Sequence, residues 1–347
     1  MLLGPRPDQG DEEYLGWLME QPFRSIRVGF RRVETAQCLV IDEISMLPGR
    51  QMQFLEFLFR TLRGNDRPWG GCQIIAVGDF LQLAPVRTNE AQAYDWAFDN
   101  PVWARSGFVP IALTKVRRQN DAEFVSALAG VRVGDVTGAT ARTLHARVSH
   151  FPPAEIPRLF THNVQVDRWN HVMLEGLPGE ETHLEAIVSG PDHRVAFLAD
   201  NLMCPRTLVL KPGARVMFTV NHRHGDYVNG TIGTVERIGL DTLEVGLPDC
   251  RVVELERFTW KAGEESSLAT LSQFPLRLAY AMTTHKSQGL SLDAAYCDIR
   301  AAREPGQAYV ALSRVRTLAG LHLKEWFGGL FVSARAIEFH RAISATP

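Results

Sequence analysis

Two adjacent carboxylates, Asp42 and Glu43, stand directly after the apolar run Leu39 to Ile41. An aspartate at a strand tip can hold Mg²⁺ through water, and a glutamate beside it can orient or deprotonate a water that attacks a phosphoryl group. Gly78-Asp79-Phe-Leu-Gln82 follows a second apolar run, Gln73 to Val77, and its amide can sense a γ-phosphate or relay its presence to a nucleic-acid groove. Arg118, followed by Gln119, can stabilise charge that develops on a transferred phosphoryl group. His285-Lys286-Ser287-Gln288-Gly289 supplies a cation, a hydroxyl, an amide and a glycine, all suited to backbone phosphates. Tyr309-Val-Ala-Leu-Ser313-Arg314 offers one more guanidinium. Taken singly, each stretch also reads as something ordinary: a solvated strand end, a capped turn, a basic surface patch.

Positioning these groups requires α/β architecture. Leu39 to Ile41 and Gln73 to Val77 have the continuous apolar character of buried parallel strands, whose tips are where α/β sheets bind ligands. Between them, Met52, Leu55, Leu58, Phe59 and Leu62 recur at helical spacing and Gly64 offers a stop. From Leu113 the text turns helical, with Asn120 and Glu123 spaced as a capping box for a helix from Phe124 and with Gly130 and Gly134 to end it. A further helix is predicted over 163–175, with Val166, Trp169 and Met173 on one face and Gly176 beyond. Short runs between Gly213 and Thr259, broken by Gly, Asn and Asp, predict a small inserted β-barrel, after which α/β character returns at Leu276 to Met282.

Composition sets bounds on the whole. The 347 residues are 45% hydrophobic and 22% charged, enough for two or three units of ordinary soluble composition. No apolar run approaches bilayer length and no signal peptide precedes the chain, so a cytoplasmic or nucleoid location is expected, without a membrane partner. Five scattered cysteines without a C-x-x-C pair argue against disulfides and zinc and read as small buried hydrophobes. His222 and His224 lack partners at metal spacing and read as turn residues. A net charge of −2 neither supports nor excludes nucleic acid, because a groove needs only a few local arginines.

In their order along the chain, D-E-I-S-M, G-D-F-L-Q-L-A-P, V-R-R-Q-N-D, T-H-K-S-Q-G and Y-V-A-L-S-R resemble the successive motifs of Pif/RecD-type superfamily 1 DNA helicases, from about Val33 to Leu323. The resemblance implies two RecA-like lobes with an inserted small β-barrel, ATP and Mg²⁺ as cofactors, single-stranded DNA as partner and 5′-to-3′ translocation in repair, recombination or replication. It also implies lobe boundaries at 1–111, 112–212, 213–271 for the barrel, and 272–347. Matched by motif, Asp42 binds Mg²⁺ through water, Glu43 activates water, Gln82 senses the γ-phosphate, and Arg118 and Arg314 act as arginine fingers. Gly78, Asp79, Gln119, Tyr309, Ser313 and the stretch His285, Lys286, Ser287, Gln288, Gly289 would couple nucleotide to DNA.

The family's phosphate-cradling loop, G-x-x-x-x-G-K-[ST], should precede Asp42, yet the lysines are Lys115, Lys211, Lys261, Lys286 and Lys324, with none earlier. The Lys286-Ser287 pair does not replace it, because the upstream glycine is absent. The first lobe is therefore expected to be truncated at its N-terminus, with an exposed sheet edge, and a separately encoded fragment carrying the loop is an expected partner. The chain is then the C-terminal portion of a helicase, inactive in isolation, with a catalytically inactive DNA-binding or partner-docking relic as the alternative.

Overall fold

A computed structural model of the chain describes residues 5, 9–20, 24–87, 92–201, 205–239, 241–262 and 268–344. The chain divides into two compact units, Met1–Val148 with Ala302–Leu318 and Glu325–Pro347, and Ser149–Ala301 with Ala319–Lys324. This division does not coincide with lobe boundaries at 111 and 272. One reason is that helices Ala122–Val133 and Gln307–Ser313 pack together. Another is that the terminal helix Ala334–Ser344 sends Ala336, Ile337 and Phe339 into the core of the first unit.

The first unit is built on Cys38–Ile41 and Gln73–Ala76, a parallel pair in which Val40 lies beside Ile75. Among the described residues this sheet has only these two strands. The continuous apolar run therefore does not make a fully buried strand: Val40 is 58% exposed, and Ile75 and Val77 are each 44% exposed. The intervening helix Gly49–Arg63 ends where expected, at Gly64 in the left-handed region. It is buried on two sides. Met52 and Phe59 enter one cluster with Trp69, Phe80, Trp96 and Phe98, while Phe54 and Leu58 meet Tyr14, Leu15, Leu18 and Ile26 from helices Asp11–Glu20 and Arg24–Thr35. Arg63 then ties Arg24–Thr35 to the strand it feeds, donating to the carbonyls of Val33, Glu34 and Ala36 at 3.1, 2.9 and 2.8 Å. Those carbonyls have no partner within a helix that stops there.

Phe80, the residue after Asp79, anchors the second strand tip. Phe98, Trp96, Trp103 and Phe339 surround its ring edge-on, with centroids 4.8–6.1 Å away. The helix predicted to start at Asn120 spans Ala122–Val133 instead, because Asp121 is the cap and accepts from the N–H groups of Glu123 and Phe124. Gly134 ends it at φ 77°, where a Cβ would sit 2.9 Å from Val332.

In the second unit, Ala281–Thr283, Arg158–Phe160, Ala295–Cys297 and Leu321–Leu323 form a parallel sheet in that order. Helix Asn163–Glu175 has the expected bounds, but its buried face is Val166, Asn170 and Leu174. Asn170 is buried because it exchanges hydrogen bonds with Ala281, Oδ1 accepting at 2.8 Å and Nδ2 donating at 3.3 Å.

The stretch expected to form a small barrel is mostly an antiparallel five-stranded sheet, running in order Val252–Leu255, Leu243–Gly246, Ile232–Ile238, Arg215–Phe218 and Leu276–Leu278. Ala269–Gln273 leaves it to pair with Phe258–Ala262 and Ile187–Ser189. The apolar return at Leu276 to Met282 is likewise two strands, Leu276–Leu278 on the antiparallel sheet and Ala281–Thr283 on the parallel one.

The cysteines divide. Cys72 and Cys297 are buried as expected, Cys38 and Cys250 are exposed, and Cys204 lies outside the described residues. His222 pairs with Asp226 at 2.7 Å. Among the described residues no helix is long and apolar enough to cross a membrane.

Candidate functional site

The first strand ends at Ile41, whose carbonyl accepts the Val77 N–H at 2.8 Å, while the Ile44 N–H returns to Val77 O at 2.9 Å. Between those two bonds the chain must reverse within Asp42 and Glu43. Glu43 does so at φ 51°, ψ 45°, a left-handed conformation that costs a side-chain-bearing residue about 1–3 kcal/mol. Asp42 supports the turn by accepting the Glu43 N–H on Oδ1 at 2.9 Å, and its side chain is otherwise turned to solvent. Gly78 lets the second strand tip close in, since a Cβ there would lie 2.9 Å from the Ile44 nitrogen.

Asp79 is a hub. Its carboxylate accepts the Leu81 N–H at 3.0 Å and the Gln82 Nε2 at 3.3 Å, which holds the turn that presents Gln82. Arg132 grips the same carboxylate with two parallel bonds, Nη2 to Oδ1 at 2.8 Å and Nε to Oδ2 at 3.1 Å. This fork geometry fixes the plane of the acid as well as its charge. Burial works against the Arg132 cation, but the bonds and charge of Asp79 outweigh it and raise its pKa above the ordinary arginine value. His340 of the terminal helix lies 3.5 Å from Arg132 Nη1. Burial, then the Arg132 charge, lowers its pKa, with Asp79 acting in the opposite sense.

Helix Gln307–Ser313 brings in the last groups. It starts at Gly306, whose φ of 75° and close approach exclude other residues: a Cβ there would be 2.0 Å from Gln82 O. At its far end Gln119, buried, donates to Ser313 O at 3.0 Å and Val315 O at 2.8 Å, and Arg118 donates to Ser313 O at 3.2 Å. Arg314 is 3% exposed and donates to Val310 O and Ser313 Oγ, each at 2.9 Å. Both acceptors are neutral. Burial first, then the neighbouring Arg118 cation, depress the Arg314 pKa to about 10, while Tyr309 and Glu43 act in the opposite sense. Burial raises the Tyr309 pKa, as does the Asp79 charge.

Glu43, Asp79, Gln82, Arg118, Gln119, Tyr309, Ser313 and Arg314 thus lie in one linked constellation, with Asp42 and Gly78 in the turns that shape it. It can present a strained acid and two partly dehydrated guanidinium groups to an anion. Reading the sequence missed Arg132, Gly306 and His340, since nothing local joins Arg132 to an acid 53 residues upstream. For Mg²⁺ the fit is that of a partial site. Asp42 keeps one carboxylate oxygen without a hydrogen bond among the described residues, and Mg²⁺ takes one or two carboxylates while phosphates and water complete its shell.

His285, Lys286, Ser287, Gln288 and Gly289 lie in the second compact unit, as a 3-10 turn after the strand Ala281–Thr283. Thr283 Oγ1 accepts the Lys286 N–H at 3.3 Å and Ser287, fully buried, donates to Thr284 O at 2.7 Å. Gly289 leaves the turn at φ 78°. His285 and Lys286 remain exposed.

Comparison with known proteins gives a consistent result. The PIF1-like helicase family model matches residues 24–140. The ATP-dependent DNA helicase Pif1 of Bdellovibrio bacteriovorus is 38% identical over 314 residues, which are 89% of this chain and 71% of that protein. The human ATP-dependent DNA helicase PIF1 is 39% identical across 84% of this chain, and the chain spans 46% of its length. Among solved structures, the Pif1 helicase from Candida albicans superimposes with a TM-score of 0.83 at 30% identity, over 97% of this chain and 82% of that one. Pif1 from Bacteroides in complex with ADP-AlF3 and single-stranded DNA gives 0.73 at 27% identity, over 99% and 82%.

Proposed function

This chain belongs to the Pif1-like helicase family, and on that premise we propose that it is the motor portion of an ATP-dependent DNA helicase that moves 5′ to 3′ on single-stranded DNA. The α/β fold of RecA-like lobes accords with that assignment. The observation that carries the reading is the constellation around Arg314, a dehydrated guanidinium bonded to neutral oxygens alone, within electrostatic reach of Glu43 and Arg118. A buried cation arranged in this way is poised for an anion that arrives and leaves.

In this reading Glu43 orients the attacking water, and Asp42 holds Mg²⁺ through water beside the phosphates. When bound, the metal neutralises charge developing between the β- and γ-phosphates. Arg314 and Arg118 stabilise the charge on the transferred phosphoryl group. Gln82, held by Asp79, senses the γ-phosphate, and Tyr309, Ser313 and Gln119 hold the two arginines in register. His285 to Gly289 bind the DNA backbone. The phosphate-cradling loop comes from residues other than these 347, on a separately encoded fragment or elsewhere, and the site of action is the cytoplasm at the nucleoid.

The test supplies that loop. A Walker A segment from a Pif1 relative is added to the chain, fused or in trans, and phosphate release is followed with and without single-stranded DNA. DNA-stimulated hydrolysis that Glu43→Gln and Arg314→Ala both abolish is expected. Hydrolysis indifferent to both changes overturns the assignment of roles.

A further inference from the structure

Arg277 is 91% buried, since only 9% of it is exposed, on the strand Leu276–Leu278. A guanidinium so placed normally meets a carboxylate, because an unpaired buried charge is strongly disfavoured. Arg277 meets none among the described residues: its hydrogen-bond contact is Nη2 to the thioether Sδ of Met217, at 3.9 Å. Met217 is its cross-strand partner, and alternation turns both away from the face where Leu276, Phe218 and Val216 join the sheet's apolar core.

Other donors nearby are also unmet. Thr219, one side-chain period beyond Met217 on the same face, has a buried Oγ1 without a partner. Gln288 has a buried Nε2 in the same condition. The backbone places its segment beside this strand: Gly230 donates to Phe218 O at 2.9 Å, and a Cβ on Gly230 would be 2.4 Å from Leu290 Cδ2. Lys286, in the same turn, has its pKa lowered by partial burial and then by the Arg277 charge, with Asp167 opposing. The chemistry is uniform, with two cations and two neutral polar groups gathered and no acid hydrogen-bonded to Arg277.

We propose that Arg277, flanked by Lys286, Thr219 and Gln288, is a binding site for phosphate oxygens, separate from the nucleotide site around Arg314. A phosphate supplies what the cluster lacks, several acceptor lone pairs and negative charge within reach of a guanidinium fork. Its source is either a DNA backbone phosphodiester, which rests on the helicase reading, or a free phosphate, which does not.

Two measurements on the whole chain separate these sources. In the first, fluorescence anisotropy follows a labelled oligothymidylate over a salt series for wild type and Arg277→Met. Losing one phosphate contact should weaken binding about tenfold at low salt and reduce the slope of log K against log salt by about 0.7. In the second, melting is compared in inorganic phosphate and in chloride at equal ionic strength. Phosphate should raise the wild-type midpoint and leave Arg277→Met unchanged, while the variant without ligand should melt no lower than wild type, because an unpaired buried charge has been removed.

A variant equal to wild type in affinity, slope and phosphate response overturns the proposal. Loss of the phosphate response with oligonucleotide binding intact supports the site and assigns it to free phosphate. If wild type fails to bind the oligonucleotide at all, the helicase reading fails while the phosphate comparison still decides Arg277. Should Arg277→Met not fold, Arg277→Lys keeps the charge without the fork: weaker binding at an unchanged slope supports the site, and unchanged binding overturns it.

Discussion

Arg132 holds both carboxylate oxygens of Asp79, at 2.8 and 3.1 Å, and so fixes the turn from which Gln82 emerges. The pair is mostly shielded, with 28% of the arginine side chain and 18% of the aspartate exposed, so its loss should register in stability.

Arg132→Met is expected to destabilise the chain by about 2 kcal/mol, because it leaves a partly buried carboxylate without its charged donor. Asp79→Asn in the same background should then cost less than it does alone, with a coupling of about 1 kcal/mol. Urea melts of the two single variants and the double variant measure this, and strict additivity would contradict the pairing.

Gly306→Ala should cost about 3 kcal/mol or more, because a left-handed φ and a collision with Gln82 O act together. Gly107→Ala is the comparison: its φ is also positive, at 60°, but the space around it is open. Equal melting curves for the two variants would show that Gly306 does not touch the Gln82 backbone.

A pH dependence follows from His340. Its folded pKa lies below the unfolded histidine value of about 6.5, so the unfolded chain binds the extra proton first as pH falls. The contribution of His340 to stability is complete above about pH 6.5 and is lost as pH drops toward the lowered folded value. Wild type should lose more stability than His340→Gln between about pH 7.5 and about pH 5.5, as thermal melts would record. An equal loss would place the imidazole away from the Arg132 cation.

The 347-residue chain alone should release phosphate from ATP no faster than buffer, with or without single-stranded DNA. Glu43 and the arginines stabilise a reaction only when backbone N–H groups and a lysine hold the β- and γ-phosphates in line. A coupled phosphate-release assay settles the point: robust turnover that Glu43→Gln abolishes would mean that another element supplies the cradle.

Much of this was legible because strand tips and helix stops are local properties. Asp42, Glu43, Gly78 and Asp79 sit where short apolar runs give way to polar turns, and Gly64 and Gly134 end their helices as read. Burial was less legible, because it depends on what covers a strand. Val40 and Ile75 look like core residues by type, yet they lie on the open face of a pair of strands. Long-range partners were not legible at all. Arg132 resembles any arginine near a helix end until Asp79 is seen opposite it, and the Gly306 requirement is set by a backbone oxygen more than two hundred residues away. The division of the run from Leu276 to Met282 between two sheets escaped for a similar reason: both halves have the same apolar text, and pairing alone tells them apart.

That division has a mechanical meaning. Only Ala279 and Tyr280 separate the two strands, and both are tied down: the Ala279 N–H donates to Arg215 O at 2.9 Å, Tyr280 O accepts the Arg158 N–H at 2.9 Å, and the Tyr280 hydroxyl accepts the Arg215 N–H at 3.1 Å. A two-residue joint bonded to the sheet on either side has no slack with which to absorb a pull. Load placed on the antiparallel sheet therefore reaches the turn at His285 to Gly289 as through a stiff lever, and the turn must yield or shift as a piece with the strand that carries it.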